Sequence, residues 1–483
     1  MKRLITYWSL CLLIFSTGCK KFLEKSPDNR TELNSPDKVS QLLGTAYPAG
    51  SYVAFAESLS DNVSDKGVGG TDKTIEDPYF FRDVTDDQQD SPEWYWAACY
   101  SAVAAANQAL EACKNASDPA SYSSQQGEAL LSRAYAHFML VTFFSKIYDP
   151  ATAATDEGIP YVTEPEKIVF KNYERKTVAY VYDMIEKDLI EGLPLLDDKR
   201  YSVPKYHFTK AAANAFAARF YLFKRDYAKV VDYANQVFSS GNITALLRPW
   251  NTTYLTYTPA EMFSIYAKAT EPANLLLAET SSLWGRNYFT NRYGFTSSKR
   301  DEILEANVTG GDWAFRNQLY TAGTENYLIP KINEYFVRSS VNATIGIPYV
   351  MVPLFTTEEV LFNRAEAYDG LGNTTSAIAD LNTYASTRIV NYSPSTHAIT
   401  ASKINSFYGT TNLQTGILLT ILDFKRAEFV QEGMRWFDIL RYGIPVTHYT
   451  SAGEIFQLTA TDLRRVLQIP ASAKLAGIDQ NPR

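Results

Sequence analysis

The segment Ala218-Arg219-Phe220-Tyr221-Leu222-Phe223-Lys224-Arg225-Asp226-Tyr227-Ala228-Lys229-Val230-Val231-Asp232-Tyr233-Ala234-Asn235-Gln236-Val237 decides the fold. Its small and ring residues fall at Ala218, Tyr221, Val230, Ala234 and Val237, the spacing of two helices that touch through one face each. Lys224-Arg225-Asp226 is the polar link that reverses the chain. The same spacing recurs at Ala365, Tyr368, Ala377, Leu381 and Tyr384, with Gly370-Leu371-Gly372-Asn373 as the link.

Small residues where two helices meet, with a ring packed between them, is the tetratricopeptide scheme. The expected fold is therefore mostly α: a scaffold of tetratricopeptide-like helix pairs, a loop-rich ligand-binding region and a few short strands. Three earlier helices fit the scaffold. One starts at Ser91 as N-cap with Pro92 behind it and runs through Trp96, Tyr100, Val103, Asn107 and Leu110. A second covers about 124–147, and a third runs from Thr177 to a stop at Pro194. A final helix is expected from about Gly416 through Trp436 and Leu440 to Gly443.

Between the two pairs, 241–356 loses helical periodicity and gains Pro, Gly, Thr and Asn, which predicts long loops with short strands such as Tyr327-Leu328-Ile329. Loops of that length in a folded body are usually functional surfaces. The expected organisation is an export signal over 1–18, a tether over 19–36, a helical part over 37–240, the insertion 241–356 and a second helical part over 357–483, all in one compact body.

The chain opens with Lys2 and Arg3, an apolar run from Leu4 to Phe15 too short to span a bilayer, and then Ser16-Thr17-Gly18-Cys19. That is the pattern of bacterial lipoprotein processing, in which the Cys19 thiol takes a lipid and becomes the first residue. No later run predicts a membrane-crossing helix, so the lipid is the expected membrane anchor. The formal charge of −7 removes the basic excess that nucleic-acid binding draws on. Cys99 and Cys113 fall on one helix, roughly 21 Å apart, beyond disulfide reach.

No catalytic motif stands out. Gly67-Val68-Gly69-Gly70-Thr71-Asp72-Lys73-Thr74 nearly matches a phosphate loop, but Asp72 takes the place of its second required glycine and would repel phosphate. Asp86-Asp87 and Asp197-Asp198 are adjacent carboxylates, not a facing pair of the kind a glycosidase needs. Four scattered histidines and no Cys-x-x-Cys give no metal-ligand spacing; Asp61 and Asn62 offer oxygens that keep calcium as a candidate, against Val63 and Lys66 at positions where a calcium loop wants an oxygen and a glycine.

The rings are the distinctive feature: 33 Tyr, 26 Phe and 7 Trp. Sugar rings stack on planar side chains while hydroxyls bond to Asp, Asn and Arg. Trp96 and Trp436 lie at helical spacing and are expected in the core. Trp94 at a helix head, and Trp250, Tyr254, Trp284 and Tyr288 in turn-rich loops, are the expected ligand rings, with Asp61 and Asn62 as polar partners.

Several stretches together resemble the SusD/RagB family of nutrient-uptake outer-membrane lipoproteins: Cys19-Lys20-Lys21-Phe22-Leu23, Trp96…Tyr100…Val103…Asn107, the helix from Glu128 to Phe138, Glu261-Met262-Phe263-Ser264-Ile265, and Arg364-Ala365-Glu366-Ala367-Tyr368. The most specific is Arg426-Ala427-Glu428-Phe429-Val430-Gln431-Glu432-Gly433-Met434-Arg435-Trp436-Phe437-Asp438-Ile439-Leu440-Arg441. Two departures are Phe424, where many members carry glutamate, and Lys20-Lys21, where surface-displayed members often carry acids. The resemblance implies a non-catalytic protein without cofactor, anchored to the outer membrane and facing the cell exterior. It would act as a lid on a TonB-dependent, SusC-like barrel and pass glycans, or in some branches peptides, into it. It also implies that Arg426, Glu428, Glu432, Arg435 and Asp438 form a structural ion-pair network between helices.

Overall fold

The computed structural model describes residues 32–168, 171–287, 290–321 and 325–483. The signal, Cys19, most of the tether and Tyr288 lie outside the described residues.

Helix α1 is Pro92–Asn115, with the Ser91 hydroxyl accepting from Trp94 N and Pro92 in the first turn. It packs on α2, Ser123–Phe144, which in turn packs on α3, Val178–Gly192, capped by Thr177. Cys99 and Cys113 are free thiols inside α1. The first patterned pair is α4, Lys210–Lys224, and α5, Tyr227–Val237; Arg225 takes a left-handed φ of 62° between them and the Asp226 side chain caps α5. The second pair is α6, Thr357–Gly370, and α7, Thr374–Ala385.

The two pairs, far apart in sequence, meet in space: α5 packs on α6, and Arg364 donates to Asn235 Oδ1 at 2.8 Å. Gly370 is required at this junction, because a Cβ there would lie 2.5 Å from the Tyr227 ring. Ala218, Tyr221, Ala365, Leu381 and Tyr384 are all buried, as the spacing demands.

The expected final helix is two helices. Helix α8, Leu413–Glu428, stops, and α9, Arg435–Tyr442, begins after a turn in which Gln431 and Gly433 have φ of 70° and 72°. The apolar period continues across the turn, which is why the sequence reads as one helix. Phe424, the departure from the family pattern, is fully buried against Trp313 and Tyr384 with ring centroids 5.0 and 5.4 Å away.

The insertion holds the few strands expected of it, and three of them join. It carries a three-stranded antiparallel sheet: β1, Asn274–Ser281, β2, Glu334–Arg338, and β3, Gly346–Thr356, in the order β1-β3-β2. At eleven residues β3 is not short. Strand β1 reads as an apolar run because seven of its eight residues are buried, so its alternation is hidden. Tyr327–Leu328 is the short strand expected there.

Candidate functional site

The turn between α8 and α9 is a hub of main-chain and charged contacts. Glu57, wholly buried, accepts from Gln431 N at 2.8 Å and Gly433 N at 3.0 Å. The five motif residues mostly reach outward to other segments. Arg426 pairs with Glu302 at 2.7 Å and donates to Asn62 Oδ1 at 2.9 Å, and Arg435 holds Asp61 through two bonds of 2.8 and 2.9 Å. Glu428 accepts from Arg388 at 2.7 Å, Glu432 from Lys331 at 2.7 Å, and Asp438 pairs with Lys425.

This disposes of two expected ligand residues. Burial works against the Asp61 carboxylate, but Arg435 and Arg426 outweigh it and hold its pKa well below the usual range. A calcium ion would have to displace both guanidiniums, and Asn62 is fully buried with its amide bonded to Glu57. Asp61 and Asn62 are therefore corrected to structural residues.

Three of the expected ligand rings are corrected too. Trp250 has no exposed surface and sits among Phe315, Tyr254 and Tyr266, with centroids 4.8, 5.1 and 6.2 Å away. Tyr254 is buried and donates its hydroxyl to Glu271 at 2.6 Å. Trp284 is buried, its Nε1 donating to the Gln431 carbonyl at 3.2 Å. For Trp250 and Tyr254 the reason lies beneath them. Arg248 pairs with Glu358 at 2.8 Å, and Arg388 bridges Glu358 at 2.9 Å to Glu428 at 2.7 Å, all four side chains without exposure. The Arg248 guanidinium stacks 4.0 Å from the Tyr266 ring centroid. Charges this deeply buried stand only where they are paired and water is kept out, and Trp250 and Tyr254, grouped with Tyr266, are part of that cover.

Trp94 behaves otherwise: it is 37% exposed. Gly50 pairs in parallel with Ser281 of β1, and a Cβ on Gly50 would touch Trp94 Cδ1 at 3.0 Å. Ser281 faces Tyr349 of β3, which faces Tyr335 of β2. Cross-strand partners project to one face, so Trp94, Tyr349 and Tyr335 form a row over the same side of the sheet. From the Gly50 segment to β2 is three strand spacings, about 14 Å. Tyr335 is 39% exposed and stacks on Tyr349 with centroids 5.9 Å apart. The exposed Val337 and Ile347 continue this face.

Polar groups border the row. Gln89 bonds Ser281 Oγ, and the Tyr335 hydroxyl donates a hydrogen bond to Glu279, so burial and that carboxylate push the phenol well above its ordinary pKa. Asp90 fixes the head of α1 against the sheet by accepting from Ser282 Oγ at 2.5 Å and Leu283 N at 2.7 Å. It does so with a left-handed φ of 67°, and burial pushes its carboxyl up to about 6. Strained, buried residues of this kind persist where the surroundings over-determine them. The row is thus a rigid ring platform with carboxylate, amide and hydroxyl groups at its border, suited to stacking on a flat, hydroxyl-rich ligand.

Tyr335 and Tyr349 were not singled out from the sequence. The signal is the two-residue alternation Tyr335, Val337 and Ile347, Tyr349, Met351, which marks one face of a hairpin.

Residues 21–222 match the SusD-like family described as starch-binding associating with outer membrane, and residues 282–471 match the SusD family. No protein of curated function matches the chain. Among solved structures, a SusD superfamily protein from Bacteroides thetaiotaomicron VPI-5482 superposes with a TM-score of 0.70 at 19% identity, covering 93% of this chain and 100% of that one. A SusD-like carbohydrate binding protein from Bacteroides vulgatus ATCC 8482 gives 0.63 at 17% identity, with 92% and 96% covered. A laminarin binding SusD-like protein gives 0.60 at 17% identity, with 94% and 99% covered. These likenesses show a shared fold, and the two family matches together cover most of both helical parts: the chain belongs to the SusD/RagB family.

Proposed function

We propose that this protein is a non-catalytic binding lipoprotein that captures glycans on the face carrying Trp94, Tyr349 and Tyr335 and delivers them to a TonB-dependent, SusC-like outer-membrane barrel. The ring row over the sheet carries the proposal, since it offers apolar faces at oligosaccharide scale beside groups that bond hydroxyls. The starch-binding, outer-membrane description of the matched family supports it, as do the carbohydrate- and laminarin-binding names of two structural neighbours. Cys19 supplies the lipid anchor and the exterior face of the outer membrane is the expected location. Among the described residues no helix is long and apolar enough to cross a membrane. The test is calorimetry with a panel of oligosaccharides on the wild-type protein and the Trp94→Ala, Tyr335→Ala double variant. Binding by the first and not the second is the expected result; equal binding by both removes the site. Co-purification of a barrel from solubilised outer membrane tests the delivery role.

One observation favours a second reading, in which the cargo is an extended oligopeptide. Strand β2 lies at the edge of its sheet, and Ser339 N bonds to Ile345 O at the hairpin end. That phase turns the main-chain groups of Phe336 and Arg338 outward, where a peptide strand can pair with them. Peptides in the same calorimetric panel separate the two cargoes.

A further inference from the structure

Trp96, assigned to the core by its helical spacing, is also the floor of a second cavity that no part of the sheet platform reaches. The cavity has a volume of about 420 Å³, within the range of small-molecule sites. Its walls are α1, the segment 160–166 and the turn Ala471–Ala476. Trp96 and Tyr100 lie in it with centroids 4.9 Å apart and planes at 58°. Tyr173 closes one side, and Val162 and neighbouring alanines complete the apolar lining.

The walls are built, not incidental. Tyr100 donates its hydroxyl to the Pro160 carbonyl at 2.9 Å, Asn107 donates to the Val162 carbonyl at 3.0 Å, and Tyr173 N bonds to the Ala476 carbonyl at 2.9 Å. Among the described residues the charged lining is Glu164 and Glu166, with no lysine or arginine. Three cations lie nearby, outside the lining. Lys167 pairs with Glu111 at 2.7 Å, Arg175 donates to the Gly158 carbonyl at 2.7 Å, and Lys171 sits 5.1 Å from the Tyr173 ring centroid. Glu166 accepts from the Tyr173 hydroxyl.

The rings of Trp96 and Tyr100 and two carboxylates, with no cation among the described lining residues and Lys171 held on the Tyr173 ring, make a field that selects positive charge on an apolar body. We propose that this cavity binds an organic ammonium ion, the amine entering beside Glu164 and Glu166 and its apolar portion resting on Trp96 and Tyr100. A neutral sugar would find few donors here, which separates this site from the sheet platform.

Calorimetry at low salt with phenethylammonium, 2-phenylethanol and phenylacetate, which share an apolar body and differ in charge, tests the assignment. The ammonium ion is expected to bind at least tenfold more tightly than the alcohol, and phenylacetate not to bind. Glu164→Gln, at an exposed position where folding is not at risk, should remove most of that tenfold preference without changing the alcohol's affinity. Raising the salt should narrow the preference in the same way. Equal affinity for ammonium and alcohol, no binding of the ammonium ion, or a preference unchanged in Glu164→Gln overturns the proposal.

Discussion

Trp250 and Trp94 mark two regions of one molecule that use rings in opposite ways. Trp250 closes the lid on a charged interior, where Arg248, Arg388, Glu358 and Glu428 have no exposure at all. Trp94 lies over a sheet edge with more than a third of its surface in solvent. What separates them is the chemistry underneath, not the kind of segment that carries them: the irregular loop holds the sealed ring, and the regular helix holds the open one. A sealed ring is worth stability, and an open one is worth affinity.

The largest way to break this contrast is at the hub. Arg388→Met leaves Glu358 and Glu428 buried with a shared cation removed, and the expected loss is about 5 kcal/mol by urea unfolding. A loss below about 1 kcal/mol would mean that the hub is not what the loops are folded around. Trp250→Ala comes next, at about 3–4 kcal/mol, because it opens a cavity beside Phe315 and Tyr266 and admits water toward Arg248. Glycan affinity of the folded fraction should not change, whereas a ligand ring would show the reverse.

The contrast extends to two carboxyls and their pH dependence. Asp90 has its folded pKa raised by burial to about 6, against an unfolded value of about 4. Between those values the folded chain keeps a proton that the unfolded chain has lost. Stability from this group is therefore full below pH 4 and falls as pH rises to 6, by about 2–3 kcal/mol. Asp90→Asn should flatten that slope in unfolding curves collected at a series of pH values. Asp61, held low by Arg435 and Arg426, has the opposite sign: its contribution is present above pH 4 and disappears as pH falls below it. Asp61→Asn should flatten the acid limb instead. A single slope shared by both variants would contradict the assignment of each carboxyl to its own surroundings.

Much of the scaffold was legible because it rests on local period. The Ala218 and Ala365 patterns specify helix pairs, and Ser91-Pro92 and Thr177 specify where helices begin. The break at Gln431 and Gly433 was not legible, since the apolar period runs through it and the turn is held by Glu57, distant in sequence. The loop rings were misread for the same kind of reason. Nothing local to Trp250 reveals Phe315 or Tyr266, and it is those rings that pack around it. Trp94 was legible as a ring at a helix head, but its neighbours Tyr349 and Tyr335 come from strands whose pairing sets the row.

The smallest effect on stability, and the sharpest on function, belongs to that row. Tyr335 touches solvent on one side and Tyr349 on the other, so Tyr335→Ala removes a half-exposed contact and should cost under about 1 kcal/mol in urea unfolding. The same change takes away one stacking face and the hydroxyl bonded to Glu279, and should weaken glycan binding about tenfold, or 1.4 kcal/mol. Tyr335→Phe separates the two contributions: it keeps the face, frees the Glu279 carboxylate and should lose less than half of that energy if stacking dominates. Trp94→Ala, at the other end of the row, should act to a similar extent. If ligand spans the full 14 Å or so of the platform, the two losses add in the double variant; if each ring serves a different ligand, each single variant will affect only part of the glycan panel.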